Sequence, residues 1–170
     1  MNVLTIGGIP ISVESSDAIS QSYEPLGGVS TLRTMRGGAI RQRTWRRLST
    51  TVSVTDARFL PALHSLDFDA PQLIQCLAPR QIAGATRAVV LPAARRADIA
   101  PYGFAVLPTG FVVPVGGVLV QHALTLDAVP DAVRYTACYV PEFTALITEF
   151  SEQFDVRGAA AGWQLTAEEV

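Results

Sequence analysis

Apolar and polar positions alternate with a period of two over short runs of this chain, and glycine or proline interrupts nearly every run. Strand side chains point alternately to opposite faces, so these runs predict half-buried β-strands. They are Val3–Ile6, Ile9–Val13, Leu32–Arg36, Ala39–Trp45, Leu48–Val54, Leu73–Leu77, Arg87–Leu91, Phe104–Leu107, Phe111–Val115, Val118–Leu124, Ala132–Val140 and Gly162–Ala167. In Ala132–Val140, Val133, Tyr135, Ala137 and Tyr139 share one face, while Arg134, Thr136, Cys138 and Val140 share the other. Gly-Gly at 7–8, 37–38 and 116–117 separates paired runs, predicting glycine-turned hairpins, and Pro108-Thr-Gly110 predicts another. Pro10 and Pro114 have no N–H to donate, so their strands belong at sheet edges or at irregularities. One segment changes period. Leu60, Leu63 and Leu66 are spaced in threes, Thr55-Asp56 resembles a cap and Pro61 suits a first turn, which predicts one short helix. The segment from Pro92 to Tyr102 has no period and reads as a loop. The fold class expected is mainly β: a β-sandwich or barrel of short antiparallel strands with a long protruding hairpin and one short helix, in a single β domain over residues 1–170.

The hairpin around Gly37-Gly38 is the most distinctive segment. A two-residue turn of type I′ or II′ there makes Arg36 and Ala39 the first pair. One face then carries Leu32, Thr34, Arg36, Ala39, Arg41, Arg43 and Trp45, and the other Thr31, Arg33, Met35, Ile40, Gln42, Thr44 and Arg46. Arginines fall on both faces, and neither face is apolar enough for a core. Residues 29–54 are therefore expected to form a protruding arm, which Leu48–Val54 returns to the body.

Composition sharpens this picture. The chain is 49% hydrophobic and only 16% charged, which excludes disorder and implies a substantial core, an interface, or both. All 13 basic residues are arginine. A genome rich in G and C would favour arginine codons, and arginine also outperforms lysine at interfaces. Net charge is −2 overall, yet residues 23–54 hold six arginines against Glu24 alone, +5, leaving −7 for the rest. From Asp127 onward Asp127, Asp131, Glu142, Glu149, Glu152, Asp155, Glu168 and Glu169 face only Arg134 and Arg157, giving −6. A basic arm and an acidic C-terminal third allow copies to attract head to tail.

Candidate chemistry is sparse. Cys76 and Cys138 lack metal-ligand spacing and read as buried free thiols. His64 and His122 are isolated, on the expected helix and on a strand. Asp67-Phe-Asp69 could place two carboxylates on one strand face, but calcium needs six or more oxygens, so a solvated turn is the preferred reading. Glu149 and Glu152 read as surface charge. No nucleophile elbow, P-loop or dinucleotide motif is present, so neither enzymatic activity nor a cofactor is expected. The N-terminus lacks a charged region and cleavage site, so no signal peptide is expected, and the apolar run from Phe111 to Val120 is broken by Pro114 and Gly116-Gly117, so no membrane insertion is expected. Nucleic acid is the rival partner, since basic β-ribbons enter grooves and Trp45 could stack on a base, but the acidic balance and the lack of a second basic patch weigh against it. A carbohydrate-binding host-recognition module on a concave sheet is the third reading; Tyr102, Phe104 and Tyr139 are available for it, although use in the core is the preferred reading of these aromatics.

Ile6-Gly-Gly-Ile-Pro10, Tyr23-Glu-Pro-Leu-Gly-Gly28 leading into Arg33-Thr-Met-Arg-Gly-Gly38, Trp45-Arg-Arg-Leu-Ser-Thr-Thr51 and the ending from Gly158 to Glu169 resemble tail-tip or baseplate proteins of long-tailed, non-contractile bacteriophages of the transposable type. The resemblance implies a late virion structural protein, assembled in the host cytoplasm, that forms a ring or plug joining tail tube, hub and fibres. Its partners would be copies of itself and other tail proteins. In such a ring Arg33, Arg36, Arg41, Arg43, Arg46 and Arg47 would meet a neighbour's carboxylates from residues 127–169, while Met35, Ile40 and Trp45 supply apolar contact.

Overall fold

The computed structural model describes residues 3–12, 19–156 and 160–170. Val13, Arg157 and Gly158-Ala159, which entered the strand, charge and resemblance readings, lie outside the described residues, as do Met1 and Asn2 of the leader reading. Strands make up 59% of the chain and all sheets are antiparallel, so the class is mainly β. No closed barrel forms among the described residues. The chain divides into two compact units, Met1–Leu4 with Gln75–Phe143, and Thr5–Ile74 with Thr144–Val170.

One seven-stranded sheet, drawn from the second of these units except for Gln75, Glu142 and Phe143, runs in the order β2-β1-β7-β15-β16-β6-β3. Its strands are β1 (Thr5–Ile6), β2 (Ile9–Pro10), β3 (Ile19–Leu26), β6 (Arg47–Ala57), β7 (Gln72–Gln75), β15 (Glu142–Asp155) and β16 (Ala160–Glu169). Gly7 and Gly8 both take positive φ, 57° and 82°, so Ile6 pairs with Ile9 across the expected two-residue turn. Pro10 sits on the edge strand, where a missing N–H breaks no ladder. Alternation on β6 buries Leu48, Thr50, Val52 and Val54, and on β16 it buries Ala161, Trp163, Leu165 and Ala167. The register aligns these sets, Val52 with Leu165 and Val54 with Trp163, so the two strands present one buried face. Fully burying a side chain of the Val or Leu type contributes about 1.5–3 kcal/mol.

Two expectations fail in this unit. The predicted helix is a single 3-10 turn, Ala62–Ser65, preceded by Pro61 and without a side-chain cap. Thr55 and Asp56 continue β6 instead, in the bulge where the ladder to β16 runs on from Val54 to Ala57, and only Leu63 of the 3-10 turn is buried. The longest hairpin is β15–β16, whose β15 has 14 residues, where the sequence reading had only surface charge and a short final strand. A bulge between Ile147 and Glu149 shifts its phase, so the alternation Phe143, Ala145, Ile147 does not continue. Asp67 and Asp69 lie in a turn closed by the Asp69 N–H donating to Asp67 Oδ1 at 3.0 Å.

The other unit contains a four-stranded sheet ordered β11-β10-β14-β8 and a three-stranded sheet ordered β12-β13-β9. These are β8 (Arg80–Gly84), β9 (Ala88–Val90), β10 (Tyr102–Val106), β11 (Val112–Val115), β12 (Gly117–Val120), β13 (Ala123–Leu126) and β14 (Arg134–Tyr139). Val89, Leu124 and Leu126 from the smaller sheet pack with Ala105, Tyr135, Ala137 and Tyr139 from the larger. The sheets approach closely where Gly103 faces Leu126, since a Cβ there would lie 2.6 Å from Leu126 Cδ1. Tyr139 is thus a core residue and not an exposed aromatic, while Val133, expected on the same face, is exposed because it precedes β14. Pro114 lies on an edge strand as expected. Gly116-Gly117 is not a hairpin turn. It passes the chain from one sheet to the other, and Val118–Leu124 is split by a tight turn at Gln121-His122, with Gln121 at φ 54°. His122 accordingly sits in a turn.

Candidate functional site

The arm is built from β4 (Val29–Arg33) and β5 (Ala39–Arg43), and every residue of both strands is exposed. Its turn differs from expectation. Arg33 pairs with Ala39 and Leu32 with Ile40, while the Thr34 N–H donates to Gly38 O at 2.8 Å and the Gly37 N–H to Thr34 O at 2.9 Å. Only Gly37 of the pair has positive φ, 81°. This is a three-residue loop, Met35-Arg36-Gly37, in which a type I turn is followed by a left-handed glycine and a bulge. Thr34 favours it over the two-residue turn because its Oγ1 accepts the Gly38 N–H at 3.0 Å.

The register shift rearranges the faces. Val29, Thr31, Arg33, Ala39, Arg41 and Arg43 share one face, and Ser30, Leu32, Ile40 and Gln42 the other. The strand arginines therefore lie together on one face, not on both. Leu32 and Ile40 form an apolar cross-strand pair, 52% and 51% exposed. Met35 and Arg36 stand at the tip. Arg33 Nη1 donates back to Gly37 O at 3.3 Å, so this arginine braces the turn.

At the arm's base Leu26 pairs with Arg47, whereas the Thr44 N–H bonds to Gly28 O, leaving Trp45 and Arg46 together opposite Gly27. Two residues against one is a β-bulge. Gly28 permits the indole to lie against the backbone there, since a Cβ at Gly28 would be 2.7 Å from Trp45 Nε1. Among the described residues none of Arg33, Arg36, Arg41, Arg43, Arg46 and Arg47 forms an ion pair with a carboxylate. The acidic residues do not form one patch either. Asp127, Asp131 and Glu142 belong to the first unit, and Glu149, Glu152, Asp155, Glu168 and Glu169 to the second. Of these, Glu149, Glu152 and Asp155 are exposed along β15, while Glu169 accepts the Leu48 N–H at 2.8 Å and Glu142 accepts from Gln75 at 2.8 Å.

Two further surfaces bear on the carbohydrate reading. Tyr102 and Phe104 share the outer face of the four-stranded sheet, in an edge-to-face contact at 5.7 Å, with Tyr102 beside Cys138. Burial pushes the Cys138 thiol and the Tyr102 phenol upward, so both stay protonated at neutral pH. A shallow concavity of about 600 Å³ lies on β6, β16 and β15 and exposes Ser53, Ser151, Gln153 and Gln164 around Gly162. It holds no aromatic platform, because Trp163 points into the core. Cys76 and Cys138 are free and buried. Among the described residues no group of three or more His, Cys, Asp or Glu converges as a metal site, and no helix is long and apolar enough to cross a membrane.

One residue that sequence reasoning missed is Arg96, buried at 5% exposure in the irregular segment before β10. Its Nε and Nη2 bind Asp98 at 3.0 and 2.6 Å, and its Nη1 donates to Val3 O and Cys76 O at 2.7 and 2.9 Å. The hydrogen bonds from Arg96 hold Asp98 below the usual carboxylate range, and Asp98 in turn raises Arg96. The clamp joins segments distant in sequence, and no local pattern could reveal it. No family model matches the chain. None of the curated proteins compared with it matches either.

Proposed function

We propose that the chain is a structural assembly protein of a bacteriophage tail tip or baseplate, whose arm grips a neighbouring subunit. The observation that carries this reading is a fully exposed ribbon with an arginine face, an apolar cross-strand pair on the opposite face, and no carboxylate partner among the described residues. A surface of this kind has two complementary handles for another protein. Leu32, Ile40 and Trp45 can be desolvated, and Arg41 and Arg43 can make bidentate contacts with carboxylates. Exposed ion pairs contribute only about 0–1 kcal/mol each, so the arginines set register and orientation while the apolar pair supplies contact. Glu149 and Asp155, exposed and on one face of β15, are the acceptor we assign, as a head-to-tail contact that closes into a ring.

The test is a charge exchange read by light scattering on purified protein. Arg41→Glu with Arg43→Glu should break the ring and lower the mass of the assembly, and adding Glu149→Arg with Asp155→Arg should restore it. Unchanged mass in the first variant, with circular dichroism showing a folded chain, would remove the arm as an assembly element. One observation favours a second reading. Three arginines on one face of a ribbon also suit a polyanion, and a nucleic-acid arm predicts retention of duplex or single-stranded DNA that weakens steeply with salt. Lack of retention at about 50 mM salt eliminates that alternative.

A further inference from the structure

We infer that β12 is a self-pairing edge, through which two copies of the chain join across a two-fold axis into a continuous six-stranded sheet. This surface is separate from the arm. In the order β12-β13-β9, β12 has a neighbour on one side only, and all four of its residues, Gly117-Val-Leu-Val120, are exposed. Exposed apolar edge strands are templates for pairing, and proteins usually blunt them with charge or proline. The neighbouring edge strand β11 carries Pro114. β12 has neither device, and it lies within a stretch from Ile99 to Leu126 that contains no Asp, Glu, Lys or Arg.

The backbone fixes which groups are free. Gly116 O accepts the Asp127 N–H at 3.0 Å, so Gly116 points toward β13. By alternation Val118 and Val120 also bond to β13, while Gly117 and Leu119 direct their N–H and C=O groups outward. Among the described residues these outward groups meet no backbone partner. On the exposed face of the same sheet, Val118 and Val120 stand beside Ala123, Thr125, Ala88 and Val90, with the three valines 65–73% exposed. The patch is uncharged, so two copies meet without like-charge repulsion, which a charged surface imposes on its own copy.

One antiparallel register uses every outward group within β12. Centred on Val118, it pairs Gly117 with Leu119 of the second copy and Leu119 with its Gly117, forming four backbone hydrogen bonds. Centring on Leu119 would require Gln121, which turns away at φ 54°, and centring on Gly117 would require Val115, which belongs to the other sheet. Val118 then faces its own copy as a non-hydrogen-bonded pair, with Cα atoms about 4.5 Å apart. The two copies of Val120 fall about 13 Å apart. A two-fold contact closes on itself and does not propagate into a fibre.

The register makes the test specific. Val118→Cys adds one exposed thiol to a chain whose native cysteines are both buried, and its geometry falls within disulfide range. Mild oxidation should convert most of Val118→Cys to a covalent dimer and leave Val120→Cys monomeric on non-reducing gels. Val118→Lys with Val120→Lys should weaken dimerisation at least tenfold in sedimentation equilibrium. Both substitutions lie on an exposed face, and circular dichroism checks the fold. The Val118→Cys crosslink should persist when Arg41 and Arg43 are reversed to Glu, which separates this contact from the arm. Equal crosslinking of the two cysteine variants, no crosslinking by Val118→Cys, or a wild-type chain that stays monomeric at its highest soluble concentration would overturn the proposal, the last also if β12 instead binds an extended peptide of another protein.

Discussion

Replacing Arg96 by alanine should destabilise the protein far more than replacing Asp98 by asparagine, although the two form a single ion pair. The asymmetry follows from burial: the side chain of Arg96 is 4% exposed and that of Asp98 is 57% exposed. Asp98→Asn removes an exposed charge whose pairing is worth about 0–1 kcal/mol and keeps an oxygen acceptor for Arg96. Arg96→Ala strips the donor from Val3 O and Cys76 O. A buried carbonyl that loses its donor costs about 1–3 kcal/mol and the part-buried Val3 O less, so with the vacated volume the loss is about 2–5 kcal/mol. Arg96→Lys should fall between, since an ammonium cannot reach three partners in the planar arrangement of a guanidinium. Urea denaturation provides the assay. Both tryptophans, Trp45 and Trp163, lie in the unit with the arm, whereas Tyr102, Tyr135 and Tyr139 lie in the unit with Arg96. Near-ultraviolet circular dichroism of the tyrosines should therefore lose its signal at lower urea than tryptophan emission does in Arg96→Ala. A loss below about 1 kcal/mol, or an Asp98→Asn penalty as large as that of Arg96→Ala, would refute the clamp as described.

Two other predictions test the turn and the titrating groups. Gly37→Ala forces a Cβ into φ 81° and should cost the arm about 1 kcal/mol, while Gly38→Ala, with no positive φ and a Cβ 3.2 Å from Thr34 Oγ1 that needs only a small shift, should cost less; loss of Leu32–Ile40 cross-strand NMR contacts in the first variant alone is expected, and equal effects would restore the two-residue turn. Stability should fall on both sides of neutrality. Asp98 is depressed in the folded chain, so its contribution is present above its ordinary value of 3.8 and lost as pH falls; Cys138 and Tyr102 are raised, so theirs is intact below their ordinary values of 9.0 and 10.0 and lost as pH rises. Asp98→Asn should flatten the acid limb of a thermal-denaturation profile and Cys138→Ala the alkaline limb.

Period-two alternation exposed most strands because each has one face in a core, as Leu48 to Val54 and Tyr135 to Tyr139 show. It failed where pairing, and not burial, decides the structure. The bulge after Ile147 broke the phase of β15 and hid the longest strand behind the charges Glu149 and Glu152. Gly116-Gly117 looked like Gly7-Gly8, but the residues after it pair with Ala123–Leu126 and leave Val112–Val115 to another sheet. The leucine spacing at 60–66 suggested a helix too short to outcompete the ladder of β6. For the arm, composition located the ribbon but not its register, because a threonine hydroxyl at position 34 selects the longer loop. The edge at β12 did carry a sequence signal, the run from Ile99 to Leu126 without a charge, which reads as core until the topology shows that β12 within it is an edge.

The proposed role of the arm turns on a shift of three in its pairing. With Arg36 opposite Ala39, arginines alternate between faces, and any partner on either side meets charge. With Arg33 opposite Ala39, Arg41 and Arg43 line one face and the Leu32–Ile40 pair occupies the other. The second register frees the Leu32–Ile40 pair from charge on its own face, so that a partner wrapping the ribbon can desolvate it while contacting the arginines on the other face. The same register gathers the cations that a phosphate backbone would also accept, so charge alone does not separate the two partners. The Leu32–Ile40 face does. A polyanion gains little from an apolar face turned away from it, whereas a protein neighbour that wraps the ribbon buries both. Substituting Leu32 and Ile40 by serine should therefore weaken assembly while leaving any DNA retention unchanged, and the reverse outcome would favour the nucleic-acid arm.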